Sequence, residues 1–292
     1  MLPRSFEYVS PTSVDDAVAL MGEYGEKAKP LAGGQSLIPL MKTRLASPQV
    51  LVDLNRISSL GGIREEGKAV VIGAMTRHRE IERSEMLRSR YPVLADAAPV
   101  IADPIVRNRG TVGGSLAHAD PASDWGTAFL ALGAELDIQG PKGKRSVSID
   151  AFFKEPFTTE LRSNELLTHI RVPKPGARSG SAYAKLKRKT GDFATVSVAA
   201  VLSLDAKGLA HGVRIALGGV GPTPVRATQA ERVLEGKAAE ASRIAMAAEA
   251  AASDAHPTED LRGSVRYKKA MVEVYAARAL GRAVERARGG KA

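Results

Sequence analysis

The sequence predicts an α+β protein with two domains. Its 292 residues, 44% of them hydrophobic, are enough to build two cores. Residues 171–181 (RVPKPGARSGS) contain two prolines and two glycines and lack apolar periodicity, which predicts a linker between the domains. After this segment, three strand patterns and then helical patterns predict a small antiparallel sheet backed by helices.

The first domain is expected to alternate helices and strands. Residues 13–25 predict an amphipathic helix, with Ser13 as its cap, Asp15 in the first turn and Gly25 just past the end. A second helix is expected to begin at Thr76, acting as its cap. Strands are predicted at residues 27–32, 50–54, 68–73, 134–139, 145–149 and 165–172. Further helical segments are predicted at 93–101 and at 125–132, the latter capped by Ser123 and Asp124.

A first glycine pair lies in AGGQS, residues 32–36, directly after a predicted strand. Gly33 and Gly34 are expected to form a tight turn, and Ser36 is expected to open a helical segment. Such a turn leaves backbone N–H groups free to bind an anion.

A second glycine pair lies in GTVGGSLAHADPASDW, residues 110–125. Gly113 and Gly114 lack a Cβ, so the backbone is expected to reach positive φ there and to let a ligand approach. Thr111 and Ser115 add hydroxyl groups beside the bare N–H groups, a combination suited to phosphate oxygens. Two such pairs, each followed by serine, predict an anion site more strongly than one.

The second domain is expected to begin with strands and to end in helices. Strands are predicted at residues 182–188, 194–204 and 213–217, and helices at 226–235, 238–252 and 264–286.

Composition excludes several classes of function. No apolar run is long enough for a membrane helix, and the N-terminus lacks a secretory signal, which predicts a cytoplasmic protein. Peripheral association with the inner face of the cell membrane stays open. The chain has no cysteine, so it cannot itself hold a thiolate-bound iron–sulfur cluster, and its five histidines lack the spacing of a metal site.

The net charge of +10 calls for a separate explanation. Only 4% of the residues are aromatic, and the basic residues are spread along the chain, which argues against nucleic-acid binding. A solvated or partner-facing basic surface is the simpler interpretation. A Rossmann nucleotide fold is not supported, because no G-x-G-x-x-G motif follows the first strand.

Three motifs, in this order, resemble those of the FAD-binding medium subunits of the molybdenum hydroxylases. They are AGGQSLIPLMKTRL (32–45), RNRGTVGGSLAHADPASDW (107–125) and KLKRKTGDFA (185–194). The similarity extends over essentially the whole chain, and the aerobic carbon monoxide dehydrogenases are the type it resembles most. The resemblance implies a PCMH-type FAD-binding domain, as in the vanillyl-alcohol-oxidase-like flavin fold, at residues 1–175. Its subdomains would cover 1–57 and 58–175, and a small α+β domain would cover 178–288.

The resemblance also implies which residues bind FAD. Those expected around the pyrophosphate are Ala32, Gly33, Gly34, Gln35, Ser36 and Leu37 on one side, and Thr111, Val112, Gly113, Gly114 and Ser115 on the other. Asp124 and Leu167 are expected towards the adenosine half, and Ala74 and Thr76 are expected in the matching second strand-loop. Those expected at the isoalloxazine ring are Ile101, Lys185, Asp192 and Phe193, and the set is completed by His118 and Asp120. Some members of the wider fold bind flavin covalently through a histidine in the first motif. Gln35 stands here instead, which implies non-covalent FAD.

His118, Asp120 and Ser123 could also suggest a hydrolytic triad. They crowd into one short segment, whereas the members of such triads come from separate elements, so this alternative is disfavoured. No catalytic residue is therefore assigned.

The resemblance implies an electron-transfer subunit of a dehydrogenase. Electrons would come from a molybdopterin large subunit through a [2Fe–2S] small subunit, in a dimer of heterotrimers. They would leave for an external acceptor, which could be a quinone, a cytochrome, NAD or O₂. The alternatives are a stand-alone flavin oxidase of the wider fold and a scaffold subunit that has lost its flavin. The substrate stays open among CO, purines, N-heterocycles, aldehydes and aromatic acyl-CoA compounds.

Overall fold

The computed structural model describes residues 2–290. The first elements of the chain are β1 (Glu7–Val9), α1 (Val14–Tyr24), β2 (Ala28–Leu31), α2 (Leu37–Lys42) and β3 (Val50–Asp53). They are followed by β4 (Ile63–Glu66), β5 (Ala69–Gly73), α3 (His78–Arg83), α4 (Glu85–Arg90), α5 (Pro92–Ala97), α6 (Pro104–Arg109), α7 (Val112–His118) and α8 (Asp124–Leu132). Next come β6 (Glu135–Gly140), β7 (Gly143–Ser148), α9 (Ile149–Phe152), β8 (Phe153–Glu155), β9 (Thr158–Thr159) and β10 (Leu166–Pro173). The last elements are β11 (Ser179–Leu186), β12 (Val196–Leu204), β13 (Ala210–Gly218), β14 (Val225–Arg226), α10 (Thr228–Leu234), α11 (Ala241–Asp254) and α12 (Val265–Ala287).

The N-terminal sheet is parallel, with the strand order β1-β3-β2. Helix α1 covers it and buries Ala17, Val18 and Met21 in one core with Val50 and Val52. As predicted, α1 is capped by the Ser13 side chain and ends at Gly25, whose φ is +53°. Because parallel strands end at the same edge of a sheet, the segments after β2 and β3 emerge side by side. These are residues 32–36 and residues 54–57.

The second sheet is antiparallel, in the order β4-β5-β10-β6-β7. Ile170 and Val172 of β10 face a core that contains Trp125 and Phe129 of α8. Helix α5 packs into the same core. Helix α1 of the N-terminal layer contacts β6 of this sheet, and α7 packs against β10 and β9.

The C-terminal sheet, β11-β12-β13-β14, is antiparallel and is covered on both faces. Val198 and Ala200 of β12 point towards a core formed with α10, α11 and α12. Ala199 of β12 and Tyr183 of β11 point the opposite way, into the core around Trp125. The sheet is therefore shared by helices from both parts of the chain, in agreement with the predicted sheet backed by helices.

The linker is shorter than the sequence predicted. Strand β10 continues to Pro173 and β11 begins at Ser179, so only residues 174–178 lie outside strands. Arg171 and Val172 remain in the sheet because β5 lies alongside them as a ladder partner. No helix among residues 2–290 is both long and apolar enough to span a bilayer.

Candidate functional site

Residues 32–36 form an open turn at the edge of the parallel sheet. Gly34 has a φ of +74°, which favours glycine, and Ser36 precedes α2 without capping it through its hydroxyl group. The backbone N–H groups of Gly33, Gly34, Gln35 and Ser36 find no hydrogen-bond acceptor among residues 2–290. Four consecutive unpaired donors are costly unless they face water or a ligand. This turn has the free donors that the sequence predicted.

The second glycine pair is helical, which corrects the predicted positive φ at Gly113 and Gly114. Both lie in the first turn of α7, which Thr111 caps by accepting a hydrogen bond from Gly114 N at 3.1 Å. The N–H groups of Val112 and Gly113 donate to Thr76 O at 3.0 Å and Ala74 O at 2.8 Å. The N–H of Ser115 donates to Thr111 O. This segment therefore offers few free N–H groups. The two glycine pairs differ, because the first lies in an open turn and the second lies in the first turn of a helix.

Close packing explains the glycines of this region. A Cβ on Gly113 would lie 2.5 Å from the Cβ of Ala74, and one on Gly33 would lie 2.4 Å from the carbonyl oxygen of Arg109. A Cβ on Gly114 would approach Ala32 to 3.4 Å. Any side chain at Gly33 would push the Arg109 backbone away, and any side chain at Gly113 would push the Ala74 backbone away. The structure thus brings the segments at 32–36 and 109–115 into contact.

The sequence predicts Thr76 as a helix cap, but the structure shows that Thr76 does not cap a helix. Helix α3 begins later, at His78, with Arg77 in the cap position. Thr76 is fully buried, and its hydroxyl donates to Gly62 O at 3.0 Å. It holds the loop that carries Ala74, whose N–H donates to Thr168 O, one residue after Leu167.

Asp124 and Lys185 form a buried ion pair between α8 and β11. The carboxylate accepts from Lys185 Nζ at 3.0 Å and from the Tyr183 hydroxyl at 2.6 Å. Burial raises the pKa of Asp124 above its ordinary value, although both partners stabilise the ionised form. Burial and the nearby Asp124 charge also raise the pKa of Tyr183, so its hydroxyl stays a donor.

This ion pair joins two residues for which the resemblance implies separate roles. Asp124 was expected at the adenosine half of FAD and Lys185 at the isoalloxazine ring. Their side chains meet at 3.0 Å, and their separate roles towards FAD stay predictions. Lys185 Nζ also donates to Val100 O at 3.1 Å, next to Ile101, one of the residues expected at the ring.

The residues expected at the ring lie in neighbouring loops. Ile101 is mostly buried, whereas Phe193 is 46% exposed. A Cβ on Gly191 would lie 3.8 Å from the Ala102 carbonyl carbon, which brings the loop of Phe193 beside Ile101. Asp192 lies in the same loop and forms long ion pairs with Arg188 and Arg262.

His118 and Asp120 lie at the far end of α7. The His118 ring packs against the Phe157 ring at a tilt of 51°, with centroids 5.2 Å apart, and burial lowers the pKa of His118. Asp120 Oδ1 accepts from the N–H of Ala122 at 2.9 Å. The hydrogen bonds found within residues 2–290 include none between the side chains of His118, Asp120 and Ser123, and they form no triad.

Sequence reasoning missed three polar residues beside the site. Asn55 and Arg77 connect the two glycine segments through hydrogen bonds. His78 Nδ1 accepts from Trp125 Nε1 at 2.9 Å, and burial lowers the pKa of His78 to about 4, so the ring is neutral at pH 7. The position of Asn55, two residues after a parallel strand, was the signal that could have indicated its role.

Comparisons with known proteins agree with this architecture. Residues 4–175 match the family described as the FAD binding domain in molybdopterin dehydrogenase, and residues 181–283 match the CO dehydrogenase flavoprotein C-terminal domain. The carbon monoxide dehydrogenase medium chain of Hydrogenophaga pseudoflava is 47% identical over 283 residues, 97% of this chain and 98% of that one. The 6-hydroxypseudooxynicotine dehydrogenase complex subunit alpha of Paenarthrobacter nicotinovorans is 37% identical over 288 residues, 99% of this chain and 97% of that one.

Solved structures give the same result. A carbon monoxide dehydrogenase from Hydrogenophaga pseudoflava, solved without the Mo-pyranopterin moiety of its cofactor, superposes with a TM-score of 0.95. The two chains share 49% identity, and the match covers 98% of this chain and 99% of that one.

Fold and comparisons together define a flavoprotein of the oxidoreductase class with FAD as its cofactor. The chain belongs to the family of FAD-binding medium subunits of the molybdenum hydroxylases, as the medium chains of carbon monoxide dehydrogenase do. The predicted α+β fold, family and cofactor are confirmed.

Proposed function

We propose that this chain is the electron-transfer subunit of a molybdenum-containing dehydrogenase of the carbon monoxide dehydrogenase type. It receives electrons from a [2Fe–2S] small subunit, which is itself reduced by a molybdopterin large subunit, in a dimer of heterotrimers. It delivers them to an external acceptor. We propose domains at residues 1–175 and 178–288 for this role, in a cytoplasmic location.

The open turn at residues 32–36 carries this proposal. Its four free N–H groups suit the oxygens of a pyrophosphate, which backbone donors can hold without a desolvated lysine. On the opposite side, Thr111 and Ser115 bring hydroxyl groups to the start of α7. The residues present therefore fit FAD, with free backbone donors at residues 33–36 and hydroxyl groups at the start of α7.

The ring end is assigned to the loops around Ile101 and Phe193. Ile101 is apolar and mostly buried, and Phe193 is partly exposed in the loop that approaches Ala102. Lys185 orients the Val100 carbonyl, and Asp124 holds Lys185 from behind. Bound FAD supplies one-electron and two-electron chemistry, and the role of these side chains is to orient it and exclude water.

Division of labour between subunits follows from composition. The chain contains no cysteine, so a thiolate-held cluster must be on another chain. Two relatives that match this chain over almost its whole length are named for different compounds, carbon monoxide and 6-hydroxypseudooxynicotine. We infer that substrate specificity is determined by the molybdenum subunit.

A visible spectrum before and after acid precipitation tests the FAD site. We expect flavin bands in the purified chain that move to the supernatant, since Gln35 offers no covalent link. Gly114→Val should abolish them, because its side chain would press on Thr111 and Ala32. Gly281→Val, also in a helix but with open space around it, is the control and should keep them. Flavin retained by Gly114→Val would contradict the proposed site.

The route of electrons needs a separate test. Candidate substrates should reduce the flavin only when the molybdenum and iron–sulfur subunits are present, as followed by bleaching near the flavin absorption maximum. Bleaching of the isolated chain by substrate would instead support a stand-alone oxidase.

A further inference from the structure

Asn55 and Arg77 link the two backbone segments of the site. Asn55 Nδ2 donates to Ala32 O at 3.0 Å, and Arg77 Nη1 donates to Arg109 O. The two side chains also bond each other, from Arg77 Nη2 to Asn55 Oδ1. One continuous chain of hydrogen bonds thus runs from the carbonyl before Gly33 to the carbonyl against which Gly33 packs.

The orientation of the Asn55 side chain is fixed by hydrogen bonds to Asp53. Asp53 accepts from the backbone N–H of Asn55 at 3.0 Å and from its side-chain amide, while Tyr8 donates to the other carboxylate oxygen. Partial burial acts to raise the pKa of Asp53, but the hydrogen bonds from Tyr8 and Asn55 lower it below its ordinary value. The carboxylate therefore stays ionised and directs the amide nitrogen of Asn55 towards Ala32.

Because the peptide group is planar, the hydrogen bond from Asn55 to Ala32 O also sets the direction of the Gly33 N–H. In a trans peptide the C=O of one residue and the N–H of the next point in opposite directions. Asn55 holds the carbonyl of Ala32 on one side, so the N–H of Gly33 must point to the other side. That N–H is the first of the four free donors in residues 33–36.

We propose that Asn55 and Arg77 are positioning residues for the pyrophosphate of FAD. They set the direction of the Gly33 donor and keep residues 32–36 in register with residues 109–115, without contacting the flavin ring. This inference rests on the proposed pyrophosphate site, which the Gly114→Val variant tests independently.

Affinity for two flavins distinguishes positioning from general damage. The full chain, freed of flavin and checked by circular dichroism, is titrated with FAD and with riboflavin, which lacks the pyrophosphate. Asn55→Ala and Arg77→Met should each weaken FAD binding at least about tenfold, or roughly 1.4 kcal/mol. Riboflavin binding should stay within twofold of the unmodified chain. Arg178→Met is the matched control, because Arg178 also donates to a backbone carbonyl, that of Asp205, on an exposed surface.

The charge of Arg77 is separated from its geometry by Arg77→Lys. A lysine keeps the charge but lacks the planar fork that bonds two oxygens at once, so this variant should lose FAD affinity like Arg77→Met. Full FAD affinity in Arg77→Lys would overturn the proposal, because charge alone would then be sufficient. So would an equal loss of FAD and riboflavin affinity in either Asn55→Ala or Arg77→Met, or no loss of FAD affinity in both. If Gly114→Val keeps its flavin, the proposed pyrophosphate site itself is wrong. If Gly114→Val loses its flavin while Asn55→Ala and Arg77→Met bind FAD with unchanged affinity, only the positioning role is wrong.

Discussion

Gly113 and Gly34 show two different reasons for glycine within one site. Gly34 has a positive φ, which a residue with a Cβ adopts only with strain. Gly113 has ordinary helical backbone, and it is glycine because the Ala74 backbone lies against its Cα. The first reason concerns conformation and the second concerns space, so the two positions should tolerate different substitutions.

Alanine scanning of helical glycines tests the second reason. Gly113→Ala should lower the free energy of unfolding by about 1–3 kcal/mol, because a methyl group must displace the Ala74 backbone. Gly281→Ala, in the open middle of α12, should raise it by about 0.5–1 kcal/mol, because alanine favours helix. Urea denaturation of the chain without flavin measures both. Equal effects of the same sign would show that close packing at Gly113 is not what requires glycine.

The sequence predicted which residues meet at the site better than it predicted their conformation. The glycine pairs and their serines indicated an anion site, and the two segments do lie against each other. Positive φ was predicted at Gly113 and Gly114, but both are helical, because the first turn of α7 is stabilised by residues distant in the sequence. The carbonyls of Ala74 and Thr76, distant in the sequence, accept the first N–H groups of α7. No local pattern contains that information.

At the scale of elements, long regular segments were predicted well and short ones were missed. Helix α12 begins after Ser264 and ends at Ala287, close to the predicted 264–286, because its cap and its apolar periodicity are local signals. The short strands β8 and β9 carry no such periodicity and form by pairing with each other. Helix α6 does have a local signal, the capping Asp103 followed by Pro104, which the sequence analysis did not use.

The junction of α8 with β11 depends on the buried pair of Asp124 and Lys185. Lys185→Met should lower the free energy of unfolding by about 3–5 kcal/mol, because it leaves the Asp124 carboxylate buried without its counter-charge. Asp124→Asn combined with Lys185→Met should cost less, since the amide carries no charge. Urea denaturation of both single variants and the double variant measures the coupling between the two residues.

A surface ion pair provides the matched control for this junction. Arg88→Met, which removes the exposed pair with Glu85 in α4, should change stability by at most about 1 kcal/mol. If the losses at Asp124 and Lys185 simply add, the two side chains do not act as a pair.

The visible spectrum of Lys185→Met then shows whether the Val100 carbonyl also matters for the flavin.

At the scale of the whole molecule, the two parts of the chain share a core. Tyr183, Ala199 and Ala216 from the C-terminal sheet are buried together with Trp125 and Phe129 of α8. A second connection runs from α12, where the nearly buried Arg286 bonds both oxygens of Asp96 in α5 and the carbonyl of Ser181. The linker is therefore a covalent connection between parts that are already joined by packing.

This shared core predicts that residues 1–175 do not form a stable FAD-binding unit on their own. Without the C-terminal sheet, the face of α8 around Trp125 would be exposed to water, and an apolar patch of that kind promotes aggregation. We expect the fragment to bind the hydrophobic dye ANS, to elute as aggregates from a size-exclusion column and to retain no flavin. Co-expression with a separate chain of residues 176–292 should restore a monodisperse, yellow complex, because the missing face is then supplied without the linker. A monomeric 1–175 fragment that binds FAD and not ANS would show that packing between the two parts contributes little, and that the C-terminal part serves the partner subunits instead.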